Sequence, residues 1–309
     1  MQSILIKVAK DTRLISFAGS LFYLFIVNLF IGLKFENLFI VFGYNLLIWI
    51  TPNTRKFILA FTVFVIFGVL YDFLKVFPNY LFNDIDIKGI YSLENSLFGF
   101  NFQGIKITPN EFFSLNQNAA LDIISGLFYI NWIPVPLAFA VFLYLSNKRQ
   151  YLHFALTFLL VNLIGFAGYY LHPAAPPWYV SLHGFIQDTA IHGNAAGFTR
   201  FDQYIGLQLF GSIYTRNSNV FAALPSLHCA YPVVVMAYGI KNKLGKVNWL
   251  FVVFMLGIWF ASVYSGHHYV IDVILGIVTA LLGIFVFDKI LMKTTLFKSF
   301  VFKYLALIR

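Results

Sequence analysis

The sequence predicts an all-α integral membrane protein with about eight transmembrane helices. Three observations carry that prediction. Hydrophobic residues make up 60% of the 309 and charged residues only 11%, far more apolar than a soluble chain can bury. Apolar stretches long enough to cross roughly 30 Å of hydrocarbon recur along the chain. The basic residues fall between those stretches, and mostly in alternate loops. The composition also excludes disorder, and a single cysteine excludes a disulfide scaffold.

The spans read as 14–33, 36–51, 57–76, 122–145, 152–171, 225–240, 248–265 and 268–290, of which the second and sixth are short. The first follows Lys7, Lys10 and Arg13 like a secretory signal, but it runs to about 20 residues without a small-residue cleavage site and so reads as a retained span. Pro134 and Pro136 should kink the fourth. The N-terminus, Arg55/Lys56, Lys148/Arg149, Lys241/Lys243/Lys246 and the tail from Lys289 hold 15 of the 21 basic residues. The positive-inside rule puts those segments, and both termini, on the cytoplasmic side, leaving 77–121 and 172–224 outside. Ten of the twelve acidic residues fall on that outer side, so the net charge of +9 does not indicate a nucleic-acid partner. Residues 78–121, Phe-rich and interrupted by Pro78, Asn79, Pro109 and Asn110, read as an interfacial segment lying on the bilayer.

Ionisable side chains at membrane depth are costly, so a gathering of polar residues on one side of the bilayer is informative. Three gatherings fall outside. They are His172-Pro173-Ala174-Ala175-Pro176-Pro177-Trp178-Tyr179, then Pro225-Ser226-Leu227-His228, then Tyr264-Ser265-Gly266-His267-His268-Tyr269-Val270-Ile271-Asp272. His268 and Asp272 are four apart, which on a helix puts imidazole and carboxylate on one face. A carboxylate that takes the proton of one ring nitrogen fixes the tautomer and steadies the imidazolium that forms on attack, making the other nitrogen a nucleophile. A purely structural His–Asp bond at a helix start is the alternative. Pro225 suits a first helical turn, so Ser226 is expected among outward-facing N–H groups able to bind phosphate oxygens. His228 in the same turn can pass a proton to a leaving oxygen; taken alone, the motif is equally a capped helix with a polar-facing histidine. The two helix starts together point to phosphoryl transfer through phosphohistidine.

Arg216 is the best-placed cation for a phosphate, with Arg200 behind it, and either could instead anchor at headgroup level. His172 either hydrogen-bonds a headgroup or caps a helix end. His267, about 100° round a helix from His268, is expected to meet lipid or solvent, and Tyr264 joins the substrate-binding set. Cys229 reads as buried filler. Neither His-Glu-x-x-His nor an acidic cluster is present, so no metal and no other cofactor is expected.

These motifs resemble the type 2 phosphatidic acid phosphatase superfamily, whose pattern is Lys-x6-Arg-Pro, Pro-Ser-x-His and Ser-Arg-x5-His-x3-Asp. The second motif and the end of the third match. The resemblance implies His268 as nucleophile, Asp272 as its orienting partner, His228 as general acid and base, and Ser226 in the phosphate pocket. It also implies a six-helix core formed by spans three to eight, hence two additional helices over 1–56 and a catalytic domain over 57–309. The departures carry information: Ser262 stands where the third motif has arginine, and no Lys-x6-Arg-Pro precedes Pro225. Fewer cations suit a diester better than a monoester dianion. Inositol phosphorylceramide and sphingomyelin synthases are similar in having Pro-Ser-Leu-His and His-His-Tyr-x-x-Asp, and the Pro-Pro-Trp element resembles the former. That branch implies transfer of a phospho-headgroup, phosphoinositol from phosphatidylinositol, to ceramide or dihydroceramide with release of diacylglycerol. The expected setting is a bacterial inner membrane with the site on the non-cytoplasmic face. A phosphatase for lipid phosphates or polyprenyl pyrophosphate, and a lipid-binding transporter, stay open as alternatives.

Overall fold

A computed structural model describes residues 2–215 and 219–309, with side chains from Thr12 onward; Arg216 lies outside the described residues. Every expected span is helical. Among the described residues five helices are long and apolar enough to cross a membrane, six if a bent pair counts as one span, and the chain is an all-α, multi-pass membrane protein. The two helices expected to be short have 16 and 15 residues.

Contacts divide the chain into two compact units, residues 1–76 with 299–309, and residues 77–298. The first holds α1 (Gln2–Phe30), α2 (Phe35–Ile50) and α3 (Pro52–Phe73). Here α3 groups by contacts with α1 and α2. Apolar helices gain little by meeting in lipid, so polar contacts fix their register. Asn45 of α2 supplies them, donating to the Ser20 hydroxyl at 2.7 Å and accepting from Ser16 at 3.3 Å, both on α1. Tyr44 meets Thr62 of α3 at 2.9 Å. The Thr51 side chain accepts the Thr54 N–H, with Pro52 in the first turn, so α3 begins one residue after α2 ends.

The second unit opens with α4 (Lys88–Phe98), a hairpin of β1 (Phe100–Phe102) and β2 (Ile105–Ile107), and α5 (Pro109–Leu115). The strands pair antiparallel, Phe100 with Ile107 and Phe102 with Ile105. Next come α6 (Ala119–Tyr129) and α7 (Pro134–Ser146), bent by 43° at their junction. Pro134 and Pro136 lie just past the break, where a missing N–H and ring clash end the helix before them. Then follow α8 (Lys148–Leu171), α9 (Pro177–His183), α10 (Phe198–Ile205), α11 (Leu209–Thr215), α12 (Leu227–Lys241), α13 (Val247–Tyr264) and α14 (Val270–Phe285). A final helix, α15 (Thr295–Ile308), falls in the tail that the sequence reading left without an element.

The bundle centres on α12, which packs against α8, α13 and α14, while α13 also packs on α6. Gly276 lets α14 approach the start of α12 closely: a Cβ there would stand 2.2 Å from the Ser226 carbonyl oxygen. Because α12 runs from His228 to Lys241 and α14 from Asp272 toward Asp288, the histidines share one end of this unit. The Lys241–Asp288 ion pair, at 2.5 Å, closes the other.

Candidate active site

Local capping makes each half of the site. Ser226 sits just before α12, and its hydroxyl accepts the Cys229 N–H at 3.4 Å. That cap places His228 in the first turn. Ser226 is fully buried, so what it supplies here is the end of the helix, and it does not line the cavity that the histidines share. The reason is ordinary: a serine at this position satisfies an orphan N–H of its own helix before it can reach a ligand.

The second half is built on a turn. α13 ends with Gly266 at φ +75, a left-handed conformation that suits glycine. The Gly266 N–H bonds Val263 O at 3.1 Å, and the N–H groups of His267 and His268 both reach Ser262 O, at 3.1 and 3.0 Å. His268 therefore precedes α14 instead of riding on it. The expected pair still meets, His268 Nδ1 lying 3.4 Å from Asp272 Oδ2. The same carboxylate oxygen accepts the Tyr269 N–H at 2.8 Å, while Asp272 Oδ1 is buried with no partner among the described residues.

The two halves converge. His268 Nε2 is 3.3 Å from His228 Nδ1, and the Ser226 N–H bonds the Asp272 carbonyl at 3.0 Å, tying the start of α12 to the first turn of α14. If His268 gives its Nδ1 proton to Asp272, its Nε2 is the acceptor and His228 Nδ1 the donor, an assignment made from the network. Both imidazoles border a cavity of about 60 Å³, together with His267, Trp178 and Asn194. His228 is held among aromatic rings, edge-on to Trp132 at 4.4 Å between centroids and 5.2 Å from Tyr129.

The remaining expected residues are dispersed. His267 does not face solvent or lipid: it is 5% exposed, stacked on Tyr214 at 4.2 Å and on Phe198 at 5.2 Å. Its Nε2 lies 2.9 Å from the Ala195 carbonyl, to which it donates. Burial drives its pKa down to about 3, so it is a neutral wall of the site. Tyr264 donates to Asp122 Oδ1 at 2.9 Å and belongs to a larger cavity. His172 stands apart, exposed, with Nε2 3.1 Å from Asp86 Oδ2, and borders neither cavity. Arg200 binds Asp122 through Nε at 2.7 Å. Among the described residues no three His, Cys, Asp or Glu side chains gather as metal ligands.

Two residues of the 78–121 segment were missed. Glu94, with no exposed surface, accepts the N–H groups of Val270 at 3.0 Å and Ile271 at 3.1 Å, capping α14 from 176 residues away. Its burial raises its pKa to about 6 even against those two hydrogen bonds. Asn110 donates to Val263 O at 2.8 Å and to His268 O at 2.9 Å, clamping the turn that carries the nucleophile candidate. The segment read as lying on the bilayer thus docks on the histidine turn. The only signal in the sequence was a pair of polar residues in a Phe-rich stretch, which has no spacing relation to the motif they serve.

What this fold and its paired imidazoles define is a membrane-embedded lipid phosphotransferase. The chain belongs to the PAP2 superfamily, whose model matches residues 100–286. It is 49% identical over 279 residues to a phosphoinositol dihydroceramide synthase of Bacteroides thetaiotaomicron, covering 89% of this chain and 90% of that one. It is 27% identical to an inositol phosphorylceramide synthase of Candida albicans, over 87% of this chain and 55% of that protein. With the inositol phosphorylceramide synthase catalytic subunit of Saccharomyces cerevisiae it shares 29% identity over 74% of this chain and 56% of the subunit. No solved structure is a significant match.

Proposed function

We propose that this protein transfers phosphoinositol from phosphatidylinositol to dihydroceramide or ceramide, releasing diacylglycerol. The observation that carries this reading is the contact of His228 with an Asp272-supported His268 in a chain 49% identical to a phosphoinositol dihydroceramide synthase. His268 Nε2 attacks phosphorus, forming an N–P bond as the P–O bond to diacylglycerol breaks, and His228 gives the leaving oxygen its proton. Asp272 steadies the imidazolium. In the second half the acceptor hydroxyl passes its proton to His228, its oxygen attacks phosphorus, and the N–P bond breaks. At 3.3 Å the two rings touch at the edge of the cavity that both line, so a phosphate bound there would replace their mutual hydrogen bond with its own. The charge bias of the loops supports cytoplasmic termini and a site on the outer face of a bacterial inner membrane.

The test is purified protein with phosphatidylinositol labelled in the headgroup, with and without dihydroceramide. Label moving to dihydroceramide is expected, with acid-labile label on the protein when the acceptor is withheld. Free inositol phosphate formed at the same rate without acceptor would overturn the transfer reading, and a fully active His268→Ala protein would overturn the covalent one.

A further inference from the structure

Beside the histidine cavity lies a far larger one of about 710 Å³, and Trp178 and Asn194 border both. Its walls are unlike the rest of this apolar protein. Beside Tyr91, Trp178, Val180 and Leu182, its lining takes Ser114 from α5 and Gln117 just after it, Ser181 from α9, Asn194 from the loop that follows, and Thr199 and Arg200 from α10. An acyl chain filling such a space would strip water from hydroxyls and amides and give nothing back, so the cavity suits the polar end of a lipid.

Its charges narrow the choice further. Arg200 is the one cation among the described lining residues, and Asp122, itself 3% exposed, holds its Nε. Glu111 is the one carboxylate of the lining. Both its oxygens are engaged: Oε1 accepts from Tyr91 at 2.9 Å, and Oε2 from the Thr108 N–H at 2.7 Å and hydroxyl at 3.0 Å. An ammonium headgroup would thus meet a guanidinium and find no open counter-ion. The Tyr264 ring, a surface that could otherwise cradle a cation, already has the Arg200 guanidinium 5.8 Å from its centroid. An uncharged polyhydroxylated ring finds alternating donors and acceptors instead.

We propose that this cavity is the donor-headgroup chamber, built for a neutral polyol attached to the reacting phosphate, with Ser114, Gln117, Ser181, Asn194, Thr199 and Arg200 setting selectivity. The inference rests on the transfer reading above and gives it a specificity site.

Two measurements test it. In the first, wild type, Gln117→Leu, Ser181→Leu and the double variant are assayed with phosphatidylinositol, phosphatidylcholine or phosphatidylethanolamine as donor and dihydroceramide as acceptor. Wild type uses the inositol donor alone; the double variant raises the donor KM about tenfold and leaves the acceptor KM unchanged. In the second, glycerophosphoinositol but not glycerophosphocholine raises the thermal midpoint of wild type, and the double variant loses that shift. Equal use of choline or ethanolamine donors, or a double variant with unaltered donor KM in a protein that does transfer phosphoinositol, overturns the chamber and leaves the transfer reading standing. A protein that turns over no donor yet keeps the glycerophosphoinositol shift, lost in the double variant, sinks the transfer reading and upholds the chamber. Arg200→Lys, which keeps the charge beside buried Asp122, is the folded control for the cation: a partial rise in donor KM is expected, and no change overturns the role given to Arg200.

Discussion

The starts of α12 and α14 each carry one imidazole of the site, and they are secured differently. α12 caps itself: Ser226 accepts an N–H three residues ahead. α14 does so only in part: its own first-turn carboxylate, Asp272, accepts the Tyr269 N–H but shares that same oxygen with His268. Its next two N–H groups are answered by Glu94, from a different helix. A helix start that shares its acidic residue with a neighbouring imidazole draws the rest of its cap from elsewhere, and that second cap ties the 78–121 segment to the candidate site.

The largest effect should come from breaking the meeting of the two starts. His268→Ala and His228→Ala are each expected to lower transfer by roughly 10²–10⁴-fold, and the double variant to be no slower than the worse single one, because in the proposed mechanism the two rings serve one and the same step. Multiplicative losses in steady-state rates would show instead that the imidazoles work independently.

A smaller effect separates the two caps. Glu94→Ala leaves two buried N–H groups unanswered, at about 1–3 kcal/mol each, in the turn that holds Asp272; kcat should fall with the thermal midpoint, and Glu94→Gln should restore part of both. Ser226→Ala removes a single local cap worth about 1 kcal/mol and should cost stability more than rate. Equal kcat losses from the two alanines would erase the distinction between the helix starts.

The smallest effect is a pair of opposite pH slopes in the thermal midpoint. Glu94 has its pKa raised from its ordinary 4.5 to about 6, so the stability tied to its protonated form is full below 4.5 and lost as pH rises through 6. His267 is lowered from 6.5 to about 3, so its contribution is full above 6.5 and lost as pH falls toward 3. Glu94→Gln should flatten the first slope and His267→Gln the second. Unchanged slopes would remove the physical basis for treating Glu94 as a buried, ionising cap.

What was legible in the sequence follows from this same contrast. Apolar runs located the helices of every expected span, five of them, or six with the bent pair, long and apolar enough to cross a membrane among the described residues, since such runs are local and extend over the length of a helix. His268, Asp272, His228 and Ser226 stood out because helix starts place residues three and four apart together. Ser226 could be found but not given its role, as a buried cap and a phosphate ligand look alike in sequence. Glu94 and Asn110 were invisible: they reach their partners across 176 and 158 residues, and no periodicity records such a contact. His267 was misplaced for a related reason, since α13 ends at Tyr264 and a glycine turn, not a continuing helix, sets its direction.

The histidine cavity, at about 60 Å³, has room for one phosphorus centre and little more. In the proposed reaction, diacylglycerol and the incoming sphingoid alcohol would then take turns beside the reacting atom. Parallel double-reciprocal plots are the expected outcome, with the glyceride competing against the sphingoid for a shared berth.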